Sequence, residues 1–459
     1  MSLDLLVLIV YALAMLLLGW VGMRRSRSQE DFLVAGRALG PARYMSTMAA
    51  TVLGGASTIG SVRLGYVYGI SGFWLCAAIG AGIVLLNLFL AGPLIRLRIF
   101  TVTQVLERRY IPLTRRISAV IMFAYALMIG VVSTLGISTV VQVFLHLPLS
   151  VAVLCSGGIV IIYSTVGGMW ALTLTDIVQF IIKTIGLLCI LLPVALHRAG
   201  GWDGLVAQLP PSAFSPTAIG YDTIVTYILL YTFGVLIGQD IWQRVFTARS
   251  PRVARVAGTA AGLYCVLYGL AAAAIGMCAR VLLPDLPDHN NAFAAVIQFA
   301  LPDGLRSLII AAAVAAMMST ASAGLLAASS TLSEDLVPLV RGGRDSDMTV
   351  TRWCTFLTGL CVLSVALLVT DVLTALTLAY DLLVGGMFVP LIGAIFWNRA
   401  TPGAAVVSMT AGCLTAVGFM VKDGIAANSP LYYSLGVAAL SFVVTSLLSR
   451  PATAILENG

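Results

Sequence analysis

The chain has 459 residues, of which 60% are hydrophobic and only 10% charged, with a mean hydropathy of +1.02. Soluble chains carry roughly 25% charged residues, and 26 basic and 19 acidic side chains cannot cover a soluble surface of this size. A soluble enzyme, a disordered scaffold and a secreted disulfide module are excluded, which leaves a polytopic helical protein whose first partner is the lipid bilayer.

Apolar runs long enough to cross a bilayer, ~20 residues at about 1.5 Å per residue, recur about thirteen times in the sequence. They lie near 3–22, 44–69, 72–97, 117–145, 148–166, 170–197, 222–247, 253–283, 304–334, 350–370, 372–397, 403–421 and 431–448. The first run is followed by Arg24, Arg25 and Arg27 with no small-residue cleavage site before them, so it reads as a retained span. The 8 cysteines all sit in apolar stretches without a C-x-x-C pair, and read as small buried hydrophobes. His146, His197 and His289 are isolated near span ends and read as surface residues.

Putting the N-terminus outside and alternating through these spans places 20 of the 26 Lys and Arg on inner loops, from Arg24 through Arg244 and Arg344 to Arg450. That asymmetry is the positive-inside signal. It assigns the net charge of +7 to topology, removes nucleic acid as a partner, and leaves the C-terminus cytoplasmic in a plasma (inner) membrane.

Two stretches interrupt smooth helix. In the second span, Thr51-Val52-Leu53-Gly54-Gly55-Ala56-Ser57-Thr58 puts paired glycines and hydroxyls at mid-depth; Phe233 to Asp240, with Gly234 and Gly238, does the same five spans later. Irregular backbone is tolerated in a membrane only where it lines a cavity, and the spacing fits two discontinuous helices of an inverted repeat. Small-residue packing contacts fit the same spacing.

Four further stretches stand out: Asp31-Phe32-Leu33-Val34-Ala35-Gly36-Arg37; Gly167-Gly168-Met169-Trp170-Ala171-Leu172-Thr173-Leu174-Thr175-Asp176-Ile177-Val178-Gln179; Gln239 to Gln243-Arg244; and Phe388-Val389-Pro390 with Trp397-Asn398-Arg399-Ala400-Thr401-Pro402-Gly403-Ala404. Together, and in this order, they resemble the sodium/solute symporter family. The resemblance implies an all-α leucine-transporter-type core, a five-plus-five inverted repeat over 44–197 and 222–397. Segments 1–43 and 403–459 then hold extra helices. It also implies Na⁺ as the coupling ion and a small organic solute as cargo, handled by one monomer.

The same resemblance implies a sodium site from the carbonyls of Ala50 and Leu53 at the break, the carbonyl of Ala316, and the hydroxyls of Ser319 and Thr320. The residues agree with it: 316, 319 and 320 share a helix face, and carbonyls and hydroxyls suit a hard monovalent cation. Back-bonding within the helix is the alternative use of those hydroxyls. A second cation site would use Asp176 and Ser322, but Ala323 stands where its other hydroxyl would be.

Ionisable residues at membrane depth are functional hypotheses by default. Lys183, seven residues after Asp176, either pairs with it, substitutes for a second ion as in some proton-coupled relatives of this fold, or snorkels to the interface. Asp381, beside Tyr380, faces either the outer cavity or a partner, and Asp240 closes the second weak point. Arg63 either holds a substrate carboxylate, closes an outer gate or is a plain surface residue. The solute is expected between the breaks, near Gly54, Gly55, Ser57 and Thr58, with Phe73, Trp74, Tyr231 and Gln239 as further contacts. Bare glycines offer backbone donors and no acid stands in the first break, which points away from a cationic solute. A membrane aspartyl hydrolase using Asp176 and Asp381 lacks its companion G-x-G-D motif, and a transceptor has no signalling module to act through; a proton-coupled carrier is the remaining rival.

Overall fold

With no water in the hydrocarbon to satisfy backbone groups, an apolar span must close its own hydrogen bonds. Among the described residues of the computed structural model the chain accordingly forms helices and no strand, apart from one bridge between Leu39 and Ala248. The structure describes residues 3–341, 346–369, 371–425 and 427–449; Arg344 and Arg450, counted above on inner loops, lie outside them.

The principal helices are α1 Leu3–Arg25, α2 Pro41–Val52, α3 Ser61–Tyr68, α4 Trp74–Leu85, α5 Pro112–Leu145, α6 Leu149–Lys183 and α7 Tyr221–Ile237. They continue with α8 Gln239–Val245, α9 Pro251–Leu282, α10 Asp303–Thr331, α11 Met348–Ala366, α12 Val372–Phe396, α13 Pro402–Asp423 and α14 Ser429–Leu448. Among the described residues ten helical stretches are long and apolar enough to cross a membrane, eleven with the bent pair α7 and α8; about thirteen spans are expected from the sequence.

Two of these stretches are long enough for two crossings each, Ala56–Arg96 with 41 residues and Leu149–Arg198 with 50, where about 20 suffice, and the predicted boundaries near 69–72 and 166–170 fall inside them. Each carries one glycine at positive φ at that point, Gly69 (φ 68°) and Gly168 (φ 55°), a conformation that costs Gly least. At Gly168 a Cβ would lie 2.6 Å from the Phe32 backbone oxygen and ring. Two of the signature stretches therefore meet, and the glycine is what lets them.

Helix α10 is the most buried of the candidate spans. Its run Ala311-Ala312-Ala313-Val314-Ala315-Ala316 and the following Ser, Thr and Gly let neighbours approach closely. A Cβ on Gly324 would lie 2.5 Å from the Gly130 nitrogen of α5, and α5 and α10 pack extensively. Helix α6 packs on α1, and α9 on α3 and α4. The site described next sits where α2, α5, α8 and α10 converge.

Candidate functional site

Helix α2 ends at Val52; Leu53 follows with φ −94° and ψ 64°, off the helical values, and a turn at Ala56–Gly60 leads into α3. The break touches α10 directly. A Cβ on Gly54 would fall on the Thr320 hydroxyl and Cβ, so only glycine allows this approach. Gly55 also packs: its added Cβ would lie 3.4 Å from Gly136 Cα. The small residues thus serve both the break and the packing contact.

Across this contact the hydroxyls of α10 donate to the last carbonyls of α2. Ser319 Oγ lies 2.8 Å from the Ala50 oxygen and 3.0 Å from the Ala316 oxygen, and Thr320 Oγ1 lies 2.5 Å from the Thr51 oxygen. Ala50, Leu53, Ala316 and Ser319 are fully buried. The result is a cluster of neutral oxygens from two helices, a donor set that suits a desolvated hard cation. Thr51 is an addition that sequence reasoning did not single out, though it adjoins Ala50. The Lys183 ammonium reaches the same place, 3.3 Å from the Ala49 oxygen and 3.4 Å from the Ala50 oxygen.

Lys183 does not pair with Asp176. Seven residues of helix rise about 10.5 Å, beyond contact, and the Asp176 carboxylate instead meets Arg244 Nη2 of α8 at 3.4 Å and accepts a short bond from the Thr47 hydroxyl. Arg244 also donates to Thr51 Oγ1 at 2.9 Å. Both partners of the pair are fully buried, which moves Arg244 from the inner loop into the core. Ser322 turns back to the Ser319 carbonyl at 3.0 Å. The three groups named for a second cation site therefore have different partners.

At mid-depth a cavity of about 30 Å³ is lined by Gly54, Gly55 and Ser57 of the first break, Thr320, Asp240 and Tyr380. Asp240 sits just past the second break, where Gly238 is extended (ψ 133°) and α7 and α8 bend by 51°. Its carboxylate accepts from Tyr125 of α5 at 3.0 Å; nothing in the local sequence marked Tyr125. A second cavity of about 590 Å³ is lined by Arg63, Asp371, Asp381, Tyr227 and Asn428. Arg63 faces Asp371 there at 3.8 Å.

Four expected solute contacts lie elsewhere. Thr58 is hydrogen-bonded to the Tyr268 hydroxyl at 2.7 Å. Trp74 donates to the Pro216 carbonyl at 2.7 Å, with the Phe73 ring tilted against it at 4.8 Å. Gln239 ties the loop before α5, accepting from Val102 N at 2.8 Å and donating to Phe100 O at 2.9 Å. Thr58, Trp74 and Gln239 each satisfy a backbone or side-chain group that burial would otherwise strand. Tyr231 is buried in a row of tyrosines rather than on the mid-depth cavity.

The model of the sodium:solute symporter family matches residues 32–412. The chain belongs to this family. It is similar to the human high affinity choline transporter 1, 28% identical over 89% of this chain and 75% of that protein. It is also similar to the sodium/pantothenate symporter of Escherichia coli K12, 26% identical over 92% and 91%. Among solved structures, a Na⁺-coupled sialic acid symporter in a substrate-bound outward-open state superposes with a TM-score of 0.85 at 21% identity, over 98% of this chain and 99% of that one. The fold of this symporter-family chain is thereby fixed as that of a multi-pass transporter.

Proposed function

We propose that the protein carries a small organic solute inward together with Na⁺ by alternating access, with the ion held by the Ala50, Leu53 and Ala316 carbonyls and the Ser319 and Thr320 hydroxyls. The observation that supports the reading is the convergence of α10 hydroxyls on the carbonyl end of α2, at 2.8 Å for Ser319 and 2.5 Å for Thr320. A cation placed among these oxygens would pull the break against α10 and shape the adjoining cavity. One Na⁺ moving through roughly 100 mV gains about 2.3 kcal/mol, and a tenfold gradient adds about 1.4. Their sum of roughly 3.7 kcal/mol supports accumulation of a few hundred-fold, so one ion suffices.

The proposal includes the two repeats at 44–197 and 222–397, flanking helices outside them, a monomeric unit and an N-terminus outside the cell. Family members and structural neighbours are transporters, and the site requires no hydrolytic chemistry. Uptake of labelled solutes into proteoliposomes under an imposed Na⁺ gradient tests it: accumulation that collapses when the gradient is removed is the expected result.

A second reading has its own observation. Lys183 already places a positive charge on the Ala49 and Ala50 carbonyls, as a tethered cation would. On that reading proton movement at Lys183 replaces Na⁺, and a pH gradient alone drives uptake.

A further inference from the structure

Four acids (Asp176, Asp240, Asp335 and Asp381) and four bases (Arg37, Arg109, Lys183 and Arg244) are buried, but they are not all paired with one another. Arg244 is balanced by Asp176 at 3.4 Å, and Arg63 by Asp371 at 3.8 Å. Among the described residues Asp240 and Asp381 have no basic group within 4.0 Å, as the ion pairs elsewhere involve other side chains. Both are buried, at 2% and 1% exposure. Asp381 is the plainer case: neither of its carboxylate oxygens has a hydrogen-bond partner, although it lines the cavity of about 590 Å³. An unpartnered carboxylate in that position costs several kcal/mol unless it takes up a proton or something positive visits it.

Between the two acids runs a continuous row of tyrosine rings. Tyr227 lines the large cavity beside Asp381 and meets Tyr231 edge-on at 5.3 Å. Tyr231 meets Tyr380 at 5.3 Å, and Tyr380 meets Tyr125 at 5.3 Å. Tyr125 ends the row by donating to Asp240. Ring faces attract cations and repel anions, and the row joins one acid to the other. The mid-depth cavity contains Asp240 as its only charged lining residue, so no basic side chain waits there for a carboxylate. Tyr380 lines the mid-depth cavity and is seated against Gly234, where a Cβ would overlap its ring. The mid-depth cavity, about 30 Å³, has room for about one water and must widen to admit a solute.

From this we infer that the solute is a monovalent organic cation, an alkylammonium compound. It is gathered by Asp381, passed along Tyr227, Tyr231 and Tyr380, and bound with its ammonium group on Asp240. The inference rests on the proposed solute transport and deepens it by naming the substrate class. It also reverses the expectation drawn from the acid-free first break: the acid comes from the second break instead.

The test uses the full chain, in detergent for binding and in proteoliposomes for uptake, with choline as the cation, 3,3-dimethylbutan-1-ol as its uncharged isostere, proline as a zwitterion and lactate as an anion. Choline is expected to raise the melting temperature of the unmodified protein in a saturable way, and the isostere, proline and lactate are not. That comparison needs no variant. Asp240→Asn, checked for monodisperse elution, is expected to weaken choline binding at least 30-fold, and Asp381→Asn to raise the KM for choline uptake three- to tenfold with kcat nearly unchanged. Binding of the isostere or of lactate as tight as that of choline, an Asp240→Asn variant that binds choline like the parent, or no choline binding at all would overturn the inference. Choline uptake that ignores the Na⁺ gradient would strike the coupling reading alone, whereas Na⁺-driven uptake of lactate would strike this inference alone.

Discussion

Lys183 and Ser319 donate to one acceptor, the carbonyl of Ala50, at 3.4 Å and 2.8 Å. An ammonium and a candidate Na⁺ ligand thus share an oxygen in a fully buried place. Unit charges about 5 Å apart repel by about 3 kcal/mol at an effective dielectric of about 20, so the lysine should weaken ion binding rather than leave it alone. Lys183→Met is therefore expected to lower the Na⁺ concentration for half-maximal uptake at least tenfold. Titrating Na⁺ against initial uptake rate in proteoliposomes checks it; loss of uptake under Na⁺ and pH gradients alike would assign the lysine the coupling role of the second reading.

Removing a ligand oxygen should act in the opposite sense. Ser319→Ala takes away a hydroxyl that a bound ion would use, and a lost interaction of this kind is worth about 1.5–3 kcal/mol when one partner is charged. Half-maximal Na⁺ should rise at least tenfold with little change in thermal stability measured without Na⁺. Thr320→Ala should behave alike, read by the same titration.

Gly54 has no room for a methyl group. The added Cβ would fall on Thr320, and overpacking of this kind costs typically 1–3 kcal/mol. Gly54→Ala should lower the melting temperature by several degrees and abolish Na⁺-dependent uptake. The double variant Gly54→Ala with Thr320→Gly, which removes the Cβ that the added methyl group would meet, should recover part of the stability without recovering the ion dependence, which separates crowding from ligation.

The Asp176–Arg244 pair, both members fully buried, predicts an asymmetric double-mutant cycle. Arg244→Met leaves the Asp176 carboxylate without its cation, a loss of about 3–5 kcal/mol. Asp176→Asn together with Arg244→Met should restore most of that stability. Melting curves in detergent for the four proteins measure it; equal losses in the single and double variants would mean that the ion pair is not the cause.

Much of the fold was legible in the amino-acid order because lipid leaves a chain few choices. Apolar runs must be helices, and the glycines around 54 and 238 mark where they stop being regular. The spacing of Ser319 and Thr320 from Ala316 was equally readable, since residues three and four apart on one helix share a face whatever the helix packs against. The joints between spans were less so: at Gly69 and Gly168 the helical stretches run on through a glycine at positive φ, and periodicity alone does not tell a bend from an end.

Which charge meets which was decided by the tertiary structure. Asp176 and Lys183 lie on one face of one helix, yet the first turns to Arg244, 68 residues away in sequence, and the second to Ala49 and Ala50, 134 and 133 residues away. Tyr125 reaches Asp240 across 115 residues. Hydropathy and spacing describe single helices, whereas a buried charge is stabilised by whatever group the neighbouring helix presents within about 4 Å. That choice depends on how α2, α5, α6, α8 and α10 pack, which no one segment carries.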